Sequence, residues 1–211
     1  MAPNNISFSD AKFHLAKLAQ PFTNFKENCA LEIRLIKEDA PTLSWRIRSL
    51  DPTENLDHAL TKMAELNTQG YNIYTTVNPT SSDGPLEKAC NDEDITAATY
   101  LFLDADDKGV AENIIQDDQL PYDFIVVTGT QPFLRAHFYI QLKRPTQNLP
   151  EWRTLMHSII KAHACDVSAK NPSRVMRLAG FSNHPSKRKL SKGYKTELVR
   201  IYNKEESYDF L

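Results

Sequence analysis

The sequence is short of the features that most quickly assign a protein to a class. Its three cysteines, Cys29, Cys90 and Cys165, are odd in number and far apart, with no C-x-x-C pair. That excludes a disulfide framework and a zinc ribbon as organising devices and fits a reducing compartment. No apolar run approaches the length needed to cross a bilayer, so no membrane partner is expected. The N-terminal "MAPNNISFSDAKFHLAK" lacks a basic start followed by an apolar core. It does not read as a secretory leader, and the expectation is a cytoplasmic location. There is no internal repeat, no low-complexity tract and no G-x-x-x-x-G-K-[ST] phosphate loop. Residues 1–211 read as one domain of catalytic size.

Excess charge of one sign is also missing, but the net value of −2 conceals an asymmetry. Residues 1–130 carry 10 Lys and Arg against 21 Asp and Glu, a net of −11. Residues 131–200 carry 14 against 3, a net of +11. A basic face is what contacts to nucleic-acid phosphates require, although two solvated faces would give the same numbers.

Hydrophobic patterning supplies the elements. A first helix runs through "AKFHLAKLA", with Asp10 placed to cap it and Pro21 to end it. "LEIRLIKE" and "SWRIRSL" read as antiparallel strands. "ENLDHALTKMAELNTQG" reads as an amphipathic helix stopped by Gly70. "YNIYTTVN" is a strand, and residues 78–93 read as an exposed loop. A short helix near "VAENIIQ", strands "DFIVVTG" and "AHFYIQL", a helix after Pro150 and a last strand near "TELVRIY" complete the order. Strands adjacent to strands, mixed with helices, predict an α+β fold of mixed or antiparallel sheets with flanking helices.

Four stretches carry chemistry. "TYLFLDADD" is an apolar strand ending in Asp104, Asp106 and Asp107; alternation puts Asp104 and Asp106 on one face. "VVTGTQPFLRAHFYIQL" places Arg135 and His137 two apart on a second strand. "CDVSAKNPSRVMRLAGFSNH" holds a lone acid, Asp166, ahead of Arg174 and Arg177. "SKRKLSKGYK" is a basic loop with Lys187, Arg188, Lys189 and Lys192. Two aspartates on a strand and a third from elsewhere suit Mg²⁺ or Mn²⁺, which take hard oxygen ligands together with phosphate. Arg135, His137, Arg174 and Arg177 are the residue types that hold a triphosphate. Each piece alone has an ordinary explanation. A D-x-D strand end also serves nucleotide-sugar transferases and plain turns, and a lone histidine is commonly a packed one.

Taken in order, these stretches resemble the archaeo-eukaryotic primase superfamily, in particular small plasmid and phage primases of the RepB type. "LFLDADD" is similar to the first motif and "RAHFYI" to the second. "DVSAKNPSRVMRLAGFSNHP" is similar to the third, and "LNTQGYNIYTTVNP" to the segment before the catalytic strand. Arg135 departs from the pattern, which has a small residue there. The resemblance implies a small N-terminal α/β part and an RRM-like part with the active site between them. It implies a primase-polymerase, a nucleotidyltransferase that makes or extends primers on a single-stranded DNA template from nucleoside triphosphates, in plasmid or phage replication. Asp104, Asp106 and Asp166 become metal ligands, His137 a contact of the incoming triphosphate, and Arg174 or Arg177 a phosphate contact. Lys187, Arg188, Lys189 and Lys192 would hold template phosphates. With no zinc knuckle or helicase motif in sight, a replicative helicase or further primase domain would act as partner. The alternatives are a non-catalytic replication-initiation module with a primase fold and a D-x-D nucleotide-sugar transferase.

Overall fold

The protein is described from a computed structural model covering residues 6–22, 29–47, 54–81, 88–117 and 120–204. Its elements in chain order are α1 (Phe8–Ala19), β1 (Cys29–Ile36), β2 (Leu43–Ile47), α2 (Glu54–Thr68), β3 (Asn72–Thr76), β4 (Thr80–Ser81), β5 (Ala98–Ala105), α3 (Val110–Gln116), β6 (Phe124–Gly129), β7 (Arg135–Thr146), α4 (Leu149–Ala162), β8 (Val175–Arg177), β9 (Ser182–Asn183), α5 (Lys187–Leu190), β10 (Glu197–Leu198) and β11 (Arg200–Asn203).

Two sheets dominate. The first has the order β2-β1-β3-β8, with β4 paired to the other end of β1. The second has the order β11-β6-β7-β5. The pairings within both are antiparallel. The expected α+β class is therefore met, in its antiparallel form. One face of β1 buries Leu31, Ile33 and Leu35 as alternation requires, and the α2 face Leu56, Leu60 and Met63 joins the same core.

The strand β5 sits at a sheet edge, where unpaired peptide groups invite other chains. Here α4 and the chain after it cover that edge. Trp152 Nε1 donates to the Tyr100 carbonyl at 2.8 Å, and the Phe102 amide meets Met156 Sδ at 3.4 Å. Two residues further, the Asp166 amide donates to the Asp104 carbonyl at 3.0 Å. The edge of β5 thereby carries a distant acidic residue to the end of the D-x-D strand.

Several sequence expectations need correction. The cap of α1 is Ser7, whose hydroxyl accepts from the Asp10 amide and donates to the Asp10 carboxylate. Asp10 lies inside the first turn, where an acid suits the helix dipole. The 78–93 stretch is not an exposed loop at its ends. Asn78 and Thr80 are fully buried and Cys90 nearly so, although residues 82–87 lie outside the described residues, as does the Asp51-Pro52 step. The last strand is two: β10 pairs with β9 and β11 with β6. The basic "KRKL" forms one helical turn, α5, capped by Ser186.

Candidate active site

A cavity of about 370 Å³ opens between the two sheets. The second sheet contributes Asp104 from β5 and His137 from β7, direct partners in the ladder. Asp106 follows one residue beyond β5. The first sheet contributes a cross-strand row, Arg34 opposite Tyr74 and Tyr74 opposite Arg177. Arg174 approaches from the turn before β8, and Lys189 from α5.

The acidic side is arranged so that one carboxylate is destitute of donors and two are matched. The Asp104 carboxylate has no hydrogen-bond donor among the described residues; its nearest cationic candidate is His137 Nε2, 3.7 Å from Oδ1. Burial, then the charge of Asp106, pushes its pKa up to about 6, with Asp166 adding to the rise and Arg174 and Arg177 opposing it. Asp106 receives Lys189 Nζ at 2.9 Å and lies 3.7 Å from Arg135 Nε. Asp166 accepts from the Ser168 amide and hydroxyl at 2.8 and 2.6 Å, and from Arg174 Nη2 at 3.4 Å. Despite the burial cost, those partners hold its pKa below the usual range. The other two acids lie within electrostatic reach of Asp104. Among the described residues, however, no three acidic, histidine or cysteine side chains are already gathered round one point.

His137 is almost fully buried. Burial, reinforced by Arg177 and Arg174, drives its pKa well below the usual histidine value, so the ring is neutral near pH 7. Its Nδ1 has no partner among the described residues. The imidazole can therefore exchange a hydrogen bond with a ligand without adding charge.

The basic residues divide by role. Arg177 donates to Asn72 Oδ1 at 2.8 Å and stacks over Tyr74, 4.9 Å from ring centroid to guanidinium carbon. A neutral amide partner leaves its charge in full. Arg135 is inward-facing and only 1% exposed. It donates to the carbonyls of Gln131 and Phe133 and pairs with Glu197, while Tyr194 stacks on it at 4.5 Å. Most of its donors thus tie down the 130–134 turn, leaving one edge towards Asp106. Of the basic helix, Lys189 turns into the cavity, whereas Arg188 and Lys192 are exposed and the equally exposed Lys187 lies 3.7 Å from Asp39.

Sequence reasoning did not single out Arg34, Tyr74, Asn72 or Asp92. Asn72 holds Arg177 and the His184 backbone together. Asp92 accepts from the Ser173 amide and hydroxyl and from Arg153, anchoring the turn that carries Arg174. The only available signal was "LNTQGYNIYTTVNP", which holds Asn72 and Tyr74.

No family model and no curated protein matches the sequence. Solved structures do match the architecture. The AEP domain of the cyanophage S-2L primase-polymerase aligns over 98% of this chain and 95% of its own, with a TM-score of 0.62 and 23% identity. The primase RepB′ aligns over 93% of this chain and 58% of its own, with a TM-score of 0.56 and 11% identity. The RepB′ catalytic domain in complex with initiator DNA aligns over 94% and 87%, with a TM-score of 0.57 and 12% identity. The chain has the primase-polymerase fold. In this chain the D-x-D strand belongs to the antiparallel sheet β11-β6-β7-β5. Among the described residues no helix is long and apolar enough to cross a membrane.

Proposed function

We propose that this chain is a DNA-dependent primase or polymerase, with both sheets working as one catalytic domain that transfers nucleotides to a growing strand on a single-stranded DNA template. The observation that carries the reading is the meeting, across one cavity, of an acidic edge and a basic wall. Asp104 near the end of β5 and Asp106 just beyond it line the cavity together with Arg174 and Arg177, and Asp166, outside the lining, is joined to the strand through its amide on the Asp104 carbonyl. The donor set is all hard oxygen, and the burial and neighbouring Asp106 charge that raise the Asp104 pKa are costs that a bound cation would offset. These residues fit Mg²⁺ or Mn²⁺ held by Asp104, Asp106 and Asp166. Such ions, when bound, neutralise charge on the transferring phosphoryl group.

The chain's own residues would do the rest. A strand's 3′-hydroxyl attacks the α-phosphate of the nucleoside triphosphate and pyrophosphate leaves. Arg177 and Arg174 bind phosphate oxygens, and neutral His137 gives a hydrogen bond to one of them. Arg135 keeps the wall beside Asp106 in place. The initiator DNA bound to the RepB′ catalytic domain supports a nucleic-acid partner here. A replicative helicase or additional primase domain, and a plasmid or phage setting, belong to the same proposal.

The test supplies single-stranded DNA, ribo- and deoxyribonucleotides, and Mg²⁺ or Mn²⁺, with and without a primer. New or extended oligonucleotides that vanish with EDTA and with Asp166→Asn are expected. Tight binding of DNA with no product under any of these conditions would instead establish the initiation-module reading.

Template affinity is expected to fall steeply with salt, because cationic contacts to a single strand release counterions. The triple variant Lys187→Ala/Arg188→Ala/Lys192→Ala should lower the slope of log affinity against log salt by about 2, at about 0.7 per phosphate contact. Fluorescence anisotropy across a salt series measures it. An unchanged slope removes these three side chains from the template path.

A further inference from the structure

Arg34 stands apart from the other arginines of the cavity because its charge is already balanced. Its Nε and Nη2 form a two-pronged pair with the Glu32 carboxylate, both at 2.7 Å, and Nη2 also reaches the Cys90 carbonyl at 3.2 Å. Glu32 is wholly buried and is further held by the Ser44 hydroxyl at 2.8 Å and the Cys90 amide at 2.9 Å. This leaves Nη1 as the one nitrogen of Arg34 with no acceptor among the described residues, on a side chain that is 19% exposed and lines the cavity. The guanidinium cannot swing away, since three donors fix its plane. It presents hydrogen-bond donors from a formally neutral pair, which favours a neutral acceptor over a phosphate.

Position along the sheet sharpens the point. Arg177, Tyr74 and Arg34 lie directly opposite one another on β8, β3 and β1. Neighbouring strands are about 4.8 Å apart, so Arg34 lies roughly 10 Å from Arg177 along the row. Arg177 is the member at the end of the row, on β8, three residues after Arg174, which pairs with Asp166. A nucleotide whose phosphates lie between Arg177 and the carboxylates would extend its sugar and base towards Tyr74 and Arg34.

We infer that the Glu32–Arg34 pair is a donor site for the nucleoside end of the bound nucleotide, with Tyr74 as the adjoining wall and Arg177 marking the phosphate end. Arg34 is thus a specificity residue that reads a base or sugar acceptor, and it takes no share of the triphosphate charge. The inference rests on the proposed function, in that it assumes the cavity takes a nucleoside triphosphate.

The experiment compares binding of ATP and of inorganic tripolyphosphate, by calorimetry in Mg²⁺, to the parent chain and to Arg34→Lys. Lysine keeps a positive charge beside Glu32 but loses the fixed Nη1 donor. The expected result is about tenfold weaker ATP binding with tripolyphosphate binding unchanged. Equal losses for both ligands would make Arg34 a phosphate contact, and no loss for either would make it purely structural; each overturns the inference while leaving the proposed function standing. A parent chain that binds neither ligand overturns both. Should Arg34→Lys lose its cooperative thermal transition, the double variant Glu32→Gln/Arg34→Gln, which buries no charge, carries the same expectation.

Discussion

Asp104→Asn is expected to abolish nucleotide incorporation and, in the same protein, to raise the stability of the metal-free fold. The first half follows from its place as the acid without a donor, facing the cavity between Asp106, Asp166 and His137. Loss of a carboxylate that would hold a divalent ion should lower the rate by at least about 10³-fold. The second half follows from the sign of the titration. The folded-state pKa of Asp104 is about 6, above the unfolded value of about 3.9. The folded chain therefore holds this proton more tightly than the unfolded chain does. The group's favourable contribution is complete below about pH 4, is lost as pH rises through 6, and changes no further above that. At pH 7.5 the ionised carboxylate costs the metal-free fold up to about 3 kcal/mol, at about 1.4 kcal/mol per pKa unit. The side chain is only 20% exposed, so solvent screening removes a minor part of this.

Thermal unfolding in EDTA at pH 7.5 should place Asp104→Asn above the parent, and the gap should shrink as pH is lowered towards 4. Adding Mg²⁺ should raise the parent and leave the variant where it was. A variant that incorporates nucleotides at the parent rate, or that is less stable than the parent in EDTA at pH 7.5, contradicts the placement of this carboxylate. The proposed cation would offset the cost that burial and the neighbouring Asp106 place on the ionised Asp104 carboxylate.

The same physics explains which parts of the site could be read in the sequence. The strand position of Asp104 and Asp106 was legible in the apolar run before them, since β5 buries Tyr100, Phe102 and Leu103 fully; the motif itself, which has several ordinary explanations, gained meaning only in order with the other stretches. His137 was legible through its strand period, and the ladder sets it opposite Asp104. The strands and most helices followed from periods of two and 3.6, whereas the choice between mixed and antiparallel sheets did not, because side-chain alternation is the same in both. The Glu32–Arg34 pair was not legible. Alternation sets Glu32 and Arg34 on the face of β1 opposite Leu31, Ile33 and Leu35, and polar residues on an alternating strand normally face solvent. Here the segment around Cys90 folds over that face and donates to Glu32, a contact 58 residues away in sequence. Lys189 was grouped with its basic neighbours because composition cannot say which lysine of a helical turn faces inward. The cap of α1 was misplaced because Ser7 and Asp10 both fit the position, and the reciprocal hydrogen bonds that decide between them appear only in three dimensions.

Gly180 shows how the third motif is welded to the rest of the molecule, and its replacement by alanine is expected to be the most damaging small substitution to the fold. Its φ is +89°, a left-handed conformation that costs an L-residue about 1–2 kcal/mol. An added Cβ would also overlap the Ser7 carbonyl oxygen and crowd the Ala11 amide and Cβ. Neither neighbour can yield easily. The Ser7 carbonyl accepts the Ala11 amide as the first hydrogen bond of α1, and the Ser7 amide is itself bound to the Gly180 carbonyl at 2.9 Å. Buried His14 adds a second tie one turn along, accepting the Ala179 amide at Nδ1 over 3.2 Å; burial lowers its pKa to about 3, so that nitrogen stays free to accept. Pushing α1 off this seat would open the contacts of Leu15 and Leu18 with the core and loosen the segment that carries Arg177 and Asn183. Strain and overlap together should cost about 3 kcal/mol or more, which for a chain of this length lowers the melting temperature by roughly 10 °C. Differential scanning calorimetry measures this, and a shift of less than a few degrees would mean that α1 is free to move. Below its melting temperature Gly180→Ala should retain a measurable share of activity, since no group facing the acids is removed, whereas Asp104→Asn should be inactive however stable it is. The two variants therefore separate, in one pair of measurements, the residues that hold the cavity together from those that give it a use.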